Sequence, residues 1–247
     1  MTVHFIGAGP GAPDLITLRA QRLIAAAPVC LYAGSLIPAE VLAHCPPGAR
    51  LVDTAELNLD QIVDELIAAH AADLDVARLC SGDPSIFSAV AEQTRRLDAA
   101  GVPYDITPGV PAFAAAAAAL GRELTVPGVG QSLVLSRIAR RATAMPAGEQ
   151  LGELGSGAVT LVLHLAVHRI AEVAAELLPR YGADCPVAVV AYASRPEEVI
   201  LRGTLDRIAA QVLSAGIRRT AVIIVGRVLS AEGFCDSHLY SPGRDRS

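Results

Sequence analysis

The sequence predicts an α/β protein of two domains, with a mostly parallel sheet in the first domain and a mixed sheet in the second. The length of 247 residues exceeds the roughly 150 residues of a typical single domain. In the first half, apolar runs of strand length alternate with helical segments, which is typical of parallel sheets covered on both faces. In the second half, some predicted strands follow one another directly, as they do in mixed sheets. We place the boundary near Gly121, which gives domains 1–120 and 121–247.

Four strands and four helices alternate in the first half. The strands are predicted at residues 3–6, Val29–Tyr32, Val76–Cys80 and Tyr104–Thr107. The first helix is predicted to follow Asp14 as its N-cap and to run through Leu18 to Ala27. The other helices are predicted from 59 with Asn58 as N-cap, at 86–100 before Gly101, and at Ala112–Leu120. From Leu59 onward, apolar residues recur at i+3, i+4, i+7 and i+8, so one face of the second helix is expected to pack on the core.

The second half opens with an irregular, glycine-rich stretch over residues 121–157. Strands are then predicted at 159–163, 187–192, 199–202 and Ala221–Val225. Helices are predicted at 167–178, ended by Pro179, and at 205–215. Because two of these strands are consecutive, the second sheet is expected to be mixed.

Composition excludes several classes of function. All 20 basic residues are Arg, so the chain has neither the Lys of a Walker-A phosphate loop nor the Schiff-base Lys of a pyridoxal enzyme. A net charge of −5 and an aromatic content of 4% argue against a nucleic-acid partner. The longest apolar run, from Val110 to Leu120, has 11 residues, whereas a membrane span needs roughly 18. No basic segment precedes an apolar run at the N-terminus, so no secretion signal is expected.

The cysteines and histidines predict no metal site. The five cysteines are odd in number and form no C-x-x-C pair, so we interpret them as reduced thiols in a cytoplasmic protein. His164 and His168 are four residues apart, as two metal ligands on a helix are. However, His164 ends a predicted strand, and the chain contains no H-E-x-x-H motif.

The first predicted strand leads into a glycine loop. Gly7, Gly9 and Ala12 satisfy G-x-G-x-x-A, the outline of a dinucleotide-binding motif. Pro10 and Pro13 delay the following helix, so its N–H groups would not meet a pyrophosphate as that motif requires. We therefore favour another kind of ligand-facing loop, with a dinucleotide site and a purely structural turn as alternatives.

Two further loops follow the third and fourth strands, at the end of a parallel sheet where open α/β folds bind ligands. In Ser81-Gly82-Asp83-Pro84, Asp83 can contact a ligand or cap the helix predicted from Ile86. The loop at 107–112 reads TPGVPA and leads into an alanine-rich helix. Further along, Arg137, Arg140 and Arg141 form a basic cluster, which is either a solvated face or a binding site for a polycarboxylate.

Together the three loops resemble the signatures of the tetrapyrrole methyltransferases, the S-adenosylmethionine enzymes of sirohaem and cobalamin synthesis. The matching segments are GAGPGAPDLITLRA at 7–20, LCSGDPSIF at 79–87, TPGVPA at 107–112, LVLHL at 161–165, RGTL at 202–205 and AVIIVG at 221–226. The segment YAGSL at 32–36 is similar to the branch of the family that methylates carbon 11 of a precorrin. The uroporphyrinogen branch usually has Asp at the position of Ala33.

The resemblance implies a bilobal homodimer that binds S-adenosylmethionine and a tetrapyrrole substrate in a cleft between the two domains. Its implied cofactor-binding residues are Pro10, Ser81, Gly82, Asp83, Ile86, Pro111, Ala112, Leu165, Tyr192, Ala193, Thr220 and Ala221. Leu165 stands where the family often has Met, and Thr220 where it often has Pro. Its implied substrate-binding residues are Ser35, Arg122, Arg137 and Arg140, since Arg is the only cation available for the substrate carboxylates.

The implied reaction is an in-line displacement, in which a ring carbon attacks the sulfonium methyl group of the cofactor. Neither a metal nor a protein nucleophile is expected, and Tyr32 and Asp83 are the candidates for handling a proton. Three alternatives stay open at this point. They are methylation of a cobalt-containing precorrin or of another tetrapyrrole such as uroporphyrinogen III, a nicotinamide-dependent oxidoreductase, and a non-catalytic tetrapyrrole carrier.

Overall fold

The computed structural model describes residues 1–139, 144–154 and 157–238. The chain divides into two units, Met1–Ala115 and Ala116–Ser247. The first unit contains a five-stranded sheet formed by β1 (Val3–Gly7), β2 (Val29–Tyr32), β3 (Arg50–Asp53), β4 (Val76–Cys80) and β5 (Tyr104–Thr107). Its order is β3-β2-β4-β1-β5, and every neighbouring pair is parallel. Its helices are α1 (Leu18–Ala26), α2 (Ala39–Leu42), α3 (Leu59–Ala71), α4 (Val90–Ala100) and the first turn of α5 (Ala112–Leu120).

Alternate residues of β1 pack on opposite faces of the sheet. Val3 and Phe5 belong to a buried apolar cluster with Leu66 of α3 and Leu97 of α4. Ile6 belongs to a second cluster, which includes residues of α1 and α2. This arrangement confirms the predicted parallel sheet with helices on both faces.

The connections that follow β1 and β4 run in opposite directions along the sheet. β1 and β4 are neighbours, yet the chain leaves β1 toward β2 and leaves β4 toward β5. Right-handed crossovers then place the two following helices on opposite faces. Open α/β sheets bind ligands at the carboxyl ends of such a pair of strands.

Two predicted helix starts in the first unit are corrected. Asp14 does not cap α1, because residues 13–15 form a 3-10 turn and the cap is Thr17, whose hydroxyl accepts from the N–H of Ala20 at 3.0 Å. α4 begins at Val90 rather than Ile86, since Phe87 and Ala89 have left-handed backbones with φ of 53° and 52° that interrupt a helix.

The other predicted helix ends of the first unit are confirmed. Asn58 forms a capping box with Gln61, and Gly101 ends α4 with a φ of 68°. β3 and α2 were not predicted. β3 is a largely exposed edge strand whose sequence, RLVD, shows no apolar run.

The second unit contains a mixed sheet, as predicted. Its strands are β6 (Leu133–Arg137), β7 (Thr160–His164), β8 (Pro186–Ala191), β9 (Val199–Thr204) and β10 (Ala221–Val225), in the order β6-β7-β10-β8-β9. β6 and β7 are parallel, and the other pairs are antiparallel. Its helices are α6 (Leu151–Leu154), α7 (Ile170–Tyr181) and α8 (Ile208–Ser214), and both α7 and α8 pack on the core of the sheet.

Three predictions for the second unit need correction. β6 lies within the glycine-rich stretch that was predicted to be irregular. α7 continues through Pro179 to Tyr181, although a proline after the first turn removes one helical hydrogen bond. The buried Tyr181 fixes this end, since its hydroxyl donates to the carbonyl of Val159 at 3.0 Å. α8 is shorter than the predicted 205–215.

In the described part of the chain, every helix is too short or too polar to cross a membrane.

Candidate active site

The three glycine loops of the first unit lie side by side, because they follow the adjacent strands β4, β1 and β5. The first and second loops are joined through their main chains. Gly82 donates its N–H to the carbonyl of Gly9 at 2.7 Å, and Gly9 donates to the carbonyl of Gly82 at 3.2 Å. Ala8 also donates to the carbonyl of Cys80 at 2.8 Å. We call this end of the sheet, formed by residues 7–12, 81–86 and 108–112, the three-loop edge.

Two positions of the three-loop edge leave no room for a side chain. A Cβ atom on Gly109 would lie 2.2 Å from the carbonyl oxygen of Gly82 and 2.8 Å from the Cα of Gly7. A Cβ atom on Gly7 would lie 2.4 Å from the nitrogen of Gly109. Real Cβ contacts are never this short, so the loops pack main chain against main chain and require glycine here.

Asp83 joins the second loop to the third. One of its carboxylate oxygens accepts from the N–H of Gly109 at 2.8 Å. The other accepts from the N–H of Ser85 at 2.8 Å and from the Ser85 hydroxyl. Burial of the carboxyl favours its neutral form, but the hydrogen bonds from Ser85 and Gly109 outweigh burial and lower the pKa of Asp83. Asp83 therefore holds two loops together, and it does not cap α4, which begins at Val90.

A buried arginine supports the second loop, and sequence reasoning missed it. Arg78 on β4 is buried, and its Nε donates to the side-chain oxygen of Gln93 at 3.1 Å. The side-chain nitrogen of Gln93 in turn donates to the carbonyl of the left-handed Ala89 at 2.9 Å. Burial lowers the pKa of the Arg78 guanidinium below its ordinary value. This chain of hydrogen bonds ties the end of the loop to the sheet.

An open cavity of about 690 Å³ lies beside the second loop. Asp83 lines it together with two exposed apolar side chains, Phe87 and Ile106. All the residues predicted to bind a cofactor in the first unit, namely Pro10, Ser81, Gly82, Asp83, Ile86, Pro111 and Ala112, lie in the three loops. The structure thus brings them together at one edge of the sheet.

Tyr32 and the segment that follows it lie at the same end of the first sheet, because β2 is the other neighbour of β4. Asp53 holds this segment, since its carboxylate accepts from the N–H groups of Gly34 and Ala55, both at 2.9 Å. The hydroxyl of Thr54 donates to the carbonyl of Tyr32 at 3.0 Å. Ser35 belongs to a 3-10 turn that covers residues 34–36.

The geometry gives no support to a dinucleotide site at the first loop. In that motif the glycines lead directly into the N-terminus of a helix, which binds the pyrophosphate. Here a 3-10 turn at residues 13–15 intervenes, and α1 begins only at Leu18. The N–H of Gly9 is already bonded to Gly82.

In the second unit, the predicted cofactor-binding residues Leu165, Tyr192, Ala193, Thr220 and Ala221 also share one edge of their sheet. They follow the carboxyl ends of β7 and β8 and lie at the amino end of the antiparallel β10. Tyr192 donates its N–H to the carbonyl of Thr220 at 2.8 Å. Arg137, which pairs with His164 in the sheet register, lies at this edge too.

Three residues of this edge have left-handed backbones although none is glycine. The φ angles are 54° at Leu165, 52° at Tyr192 and 52° at Thr220. This conformation is unfavourable for residues with a Cβ, above all for a β-branched threonine. Such strain concentrates at ligand sites, where the surrounding structure maintains it. We call this end of the second sheet the strained edge; Leu165 is 61% exposed there.

Replacement of Thr220 by glycine is expected to raise the free energy of unfolding by about 0.5–1 kcal/mol, because glycine adopts this conformation without a steric cost. Val199→Gly is the matched control, since Val199 is a β-branched residue in an extended strand of the same sheet. The control should lower stability by about 1 kcal/mol. Urea unfolding measures both values. Equal destabilisation by the two replacements would contradict the assignment of strain to Thr220.

The remaining predicted residues lie in different places. Arg122 is at the opposite end of the second sheet from the strained edge, and it donates to the carbonyl of Ala231, beyond the carboxyl end of β10, at 3.4 Å. Arg140 lies outside the described residues. His164 is half-buried, and burial lowers its pKa. Within residues 1–139, 144–154 and 157–238, no three His, Cys, Asp or Glu side chains are grouped as metal ligands.

Comparisons with known proteins agree with this fold and these loops. The chain matches the tetrapyrrole (corrin/porphyrin) methylase family over residues 2–209. It is 68% identical over 247 residues to a precorrin-4 C(11)-methyltransferase from Rhodococcus erythropolis, covering 100% of this chain and 99% of that one. It is 41% identical over 238 residues to a cobalt-precorrin-4 C(11)-methyltransferase from Methanocaldococcus jannaschii, covering 96% of this chain and 92% of that one.

Two solved structures are similar over nearly the whole chain. A cobalt precorrin-4 methyltransferase, described as a cobalamin biosynthetic enzyme, matches with a TM-score of 0.89 and 36% identity, covering 92% of this chain and 95% of that one. The uroporphyrin-III C-methyl transferase from Thermus thermophilus, complexed with S-adenyl homocysteine, matches with a TM-score of 0.77 and 30% identity, covering 93% of each chain. The chain belongs to the tetrapyrrole methylase family. It is a methyltransferase, and its relatives at 55–68% identity are precorrin methyltransferases.

Proposed function

We propose that this methyltransferase transfers the methyl group of S-adenosylmethionine to carbon 11 of precorrin-4 and so forms precorrin-5 in cobalamin biosynthesis. The observation that carries the proposal is the 68% identity, over the full chain, to a relative of that activity. The segment YAGSL at 32–36 supports the same branch of the family. The relative that acts on cobalt-precorrin-4 is less similar, at 41% identity.

The cofactor residues that we propose lie at the two edges described above. In the first unit they belong to the three-loop edge, where glycines let a ligand approach the main chain closely. In the second unit they belong to the strained edge, where Leu165 presents an exposed side chain. A similar solved enzyme was crystallised with S-adenyl homocysteine, which favours the same class of cofactor here.

The residues of this chain act in the reaction mainly by positioning. When bound, S-adenosylmethionine supplies a sulfonium methyl group, and its sulfur keeps the electron pair of the broken bond. Transfer requires the attacking carbon, the methyl carbon and the sulfur to be nearly collinear, with the reacting atoms about 3–3.5 Å apart. The rigid main-chain contacts among Gly7, Gly82 and Gly109 provide a fixed surface for this alignment. A weakly polar surrounding favours a step that disperses charge.

Addition of the methyl cation leaves the macrocycle with a positive charge, which it loses by releasing a proton, and two residues were predicted to assist. Both carboxylate oxygens of Asp83 are engaged by Ser85 and Gly109, so we assign Asp83 to holding the loops. Tyr32, at the end of β2, remains the residue that we propose for handling this proton, which passes on to solvent. For the substrate carboxylates we retain Ser35, Arg137 and Arg140, while the position of Arg122 at the far end of its sheet removes it from this proposal. A homodimer in the cytoplasm completes the proposal.

Incubation of the purified enzyme with precorrin-4 and methyl-labelled S-adenosylmethionine is expected to yield one product that carries the label at carbon 11. Nuclear magnetic resonance of the product identifies the labelled carbon. A parallel competition between precorrin-4 and its cobalt complex should favour the metal-free substrate. Label at a different carbon, or no transfer, would refute the proposal. Calorimetry adds an independent check, in which S-adenosylhomocysteine binds and NADH does not.

A further inference from the structure

The second unit contains a cavity of about 500 Å³ that the proposed reaction does not use. It lies where β8 begins and β9 ends, and the lining includes Pro186, Ala188 and Thr204. Leu120 and Leu229 add apolar surface. The strained edge is at the other end of β8, which has six residues and therefore spans about 17–20 Å.

Two arginines line this cavity without a carboxylate partner in the described parts of the chain. Arg202 donates to the carbonyl of Leu120 at 3.2 Å, and Arg122 donates to the carbonyl of Ala231 at 3.4 Å. A guanidinium group has five N–H donors, so each arginine keeps most of its donors available. Neither forms an ion pair with any residue that the structure describes.

The acidic groups near the cavity are already neutralised or bonded. Asp184 lines the cavity, but both its oxygens accept from Arg227, at 2.8 and 3.1 Å. These hydrogen bonds lower the pKa of Asp184, which therefore stays ionised and paired. Asp206 accepts from the Thr204 hydroxyl and lies 3.8 Å from the Nε of Arg207. The two arginines consequently give the cavity a net positive charge.

We propose that this cavity is a separate binding site for a small anion with an apolar body. The anionic head, a carboxylate or a phosphate, is held by Arg122 and Arg202, since guanidinium groups bind both anions in bidentate geometry. The apolar body packs on Leu120, Val187 and Leu229. A volume of about 500 Å³ lies within the usual range of small-molecule pockets. This site accounts for Arg122, which the sequence assigned to the substrate of the methyl transfer.

Octanoate is a suitable probe, because it combines a carboxylate with an apolar chain. Isothermal titration of the full-length protein is expected to show one site for octanoate. Octyl phosphate distinguishes a preference for phosphate from one for carboxylate. Octanol, with the same apolar chain and no charge, should bind at least tenfold more weakly. Arg122→Gln and Arg202→Gln should each weaken octanoate binding at least tenfold.

Two further variants separate recognition from a general effect. Arg50→Gln removes the same charge from an exposed arginine of the first unit, which pairs with Glu65, and should leave octanoate binding unchanged. Ser230→Phe keeps both arginines but fills the cavity from an exposed position, and should abolish binding. Saturating S-adenosylhomocysteine should change the octanoate affinity by less than twofold.

Several outcomes would overturn the proposal. They are an absence of binding by both anions at 10 mM, equal binding of octanol and octanoate, wild-type affinity in the folded Arg122→Gln and Arg202→Gln variants, and displacement of octanoate by S-adenosylhomocysteine. None of these measurements depends on which tetrapyrrole the enzyme methylates. The experiments therefore test the anion site independently of the proposed reaction.

Discussion

Gly109→Ala is expected to abolish methyl transfer and to lower the free energy of unfolding by about 3 kcal/mol or more. The added Cβ would meet the carbonyl oxygen of Gly82 at 2.2 Å and the Cα of Gly7 at 2.8 Å. These neighbours are main-chain atoms of two other loops, so they cannot move aside as a flexible side chain would. The loops must separate, and a displacement of about 1 Å typically costs a hundredfold in a positioned reaction.

The measurements are urea unfolding, the rate of methyl transfer, which should fall at least about a hundredfold, and the affinity for S-adenosylhomocysteine, which should also fall. Gly152→Ala is the control, because a Cβ at Gly152 has no heavy atom within 4 Å and the residue lies in α6. The Gly152→Ala protein should bind S-adenosylhomocysteine as tightly as the wild type does. Its free energy of unfolding should rise by up to about 1 kcal/mol, because alanine is more stable than glycine in a helix. A Gly109→Ala protein with wild-type stability and affinity would show that the loops do not pack as described.

Asp83→Asn is expected to weaken S-adenosylhomocysteine binding at least tenfold and to destabilise the protein by about 1.5–3 kcal/mol. The amide that replaces the carboxylate has only one acceptor oxygen, whereas Asp83 accepts from Gly109 with one oxygen and from Ser85 with the other. One of the two loops therefore loses its hydrogen bond. Asp105→Asn removes the same charge from an exposed residue of β5 and should leave the affinity unchanged.

The hydrogen bonds of Asp83 also predict that the stability of the folded protein depends on pH. Its pKa is lowered in the folded protein below the ordinary value of 3.8. A carboxyl group with a lowered pKa stabilises the fold fully above its ordinary pKa, and that contribution is lost as the pH falls through the folded pKa. The stability difference between the wild type and Asp83→Asn should thus be constant near neutral pH and shrink below pH 3.8. A difference that grows in acid would contradict this role.

The sequence predicts the parallel sheet of the first unit well, because its central strands are continuous apolar runs. β1, β2 and β4 have buried side chains on both faces, and such runs leave a clear signal. β3 gives no such signal, since it is an edge strand with exposed residues. β6 was not predicted, because the many glycines around it are typical of irregular segments. The predicted start of α4 was wrong because a turn is usually marked by glycine or proline, whereas the left-handed residues here are Phe87 and Ala89.

The candidate site is predictable in part, and for a physical reason. Glycine loops that follow parallel strands indicate a ligand-binding end of the sheet, and the structure does bring Gly7, Gly82 and Gly109 into contact. The strained edge has no comparable signal, because left-handed leucine, tyrosine and threonine look ordinary in a sequence. Only the family resemblance indicated Leu165, Tyr192 and Thr220. Arg122 and Arg137 lie at opposite ends of the second sheet. The spacing of these arginines in the sequence does not reveal at which end of the sheet each one lies.

The three-loop edge has an evolutionary consequence, because its shape is set by main-chain atoms rather than by side chains. Substitutions around it can accumulate without altering the surface that glycines 7, 82 and 109 create. Since we propose this edge as part of the cofactor site, descendants of one ancestor can change the acceptor that they methylate and keep the same main-chain contacts with the donor. Within such a lineage, the glycines should be the slowest positions to vary and the segment at 32–36 among the fastest.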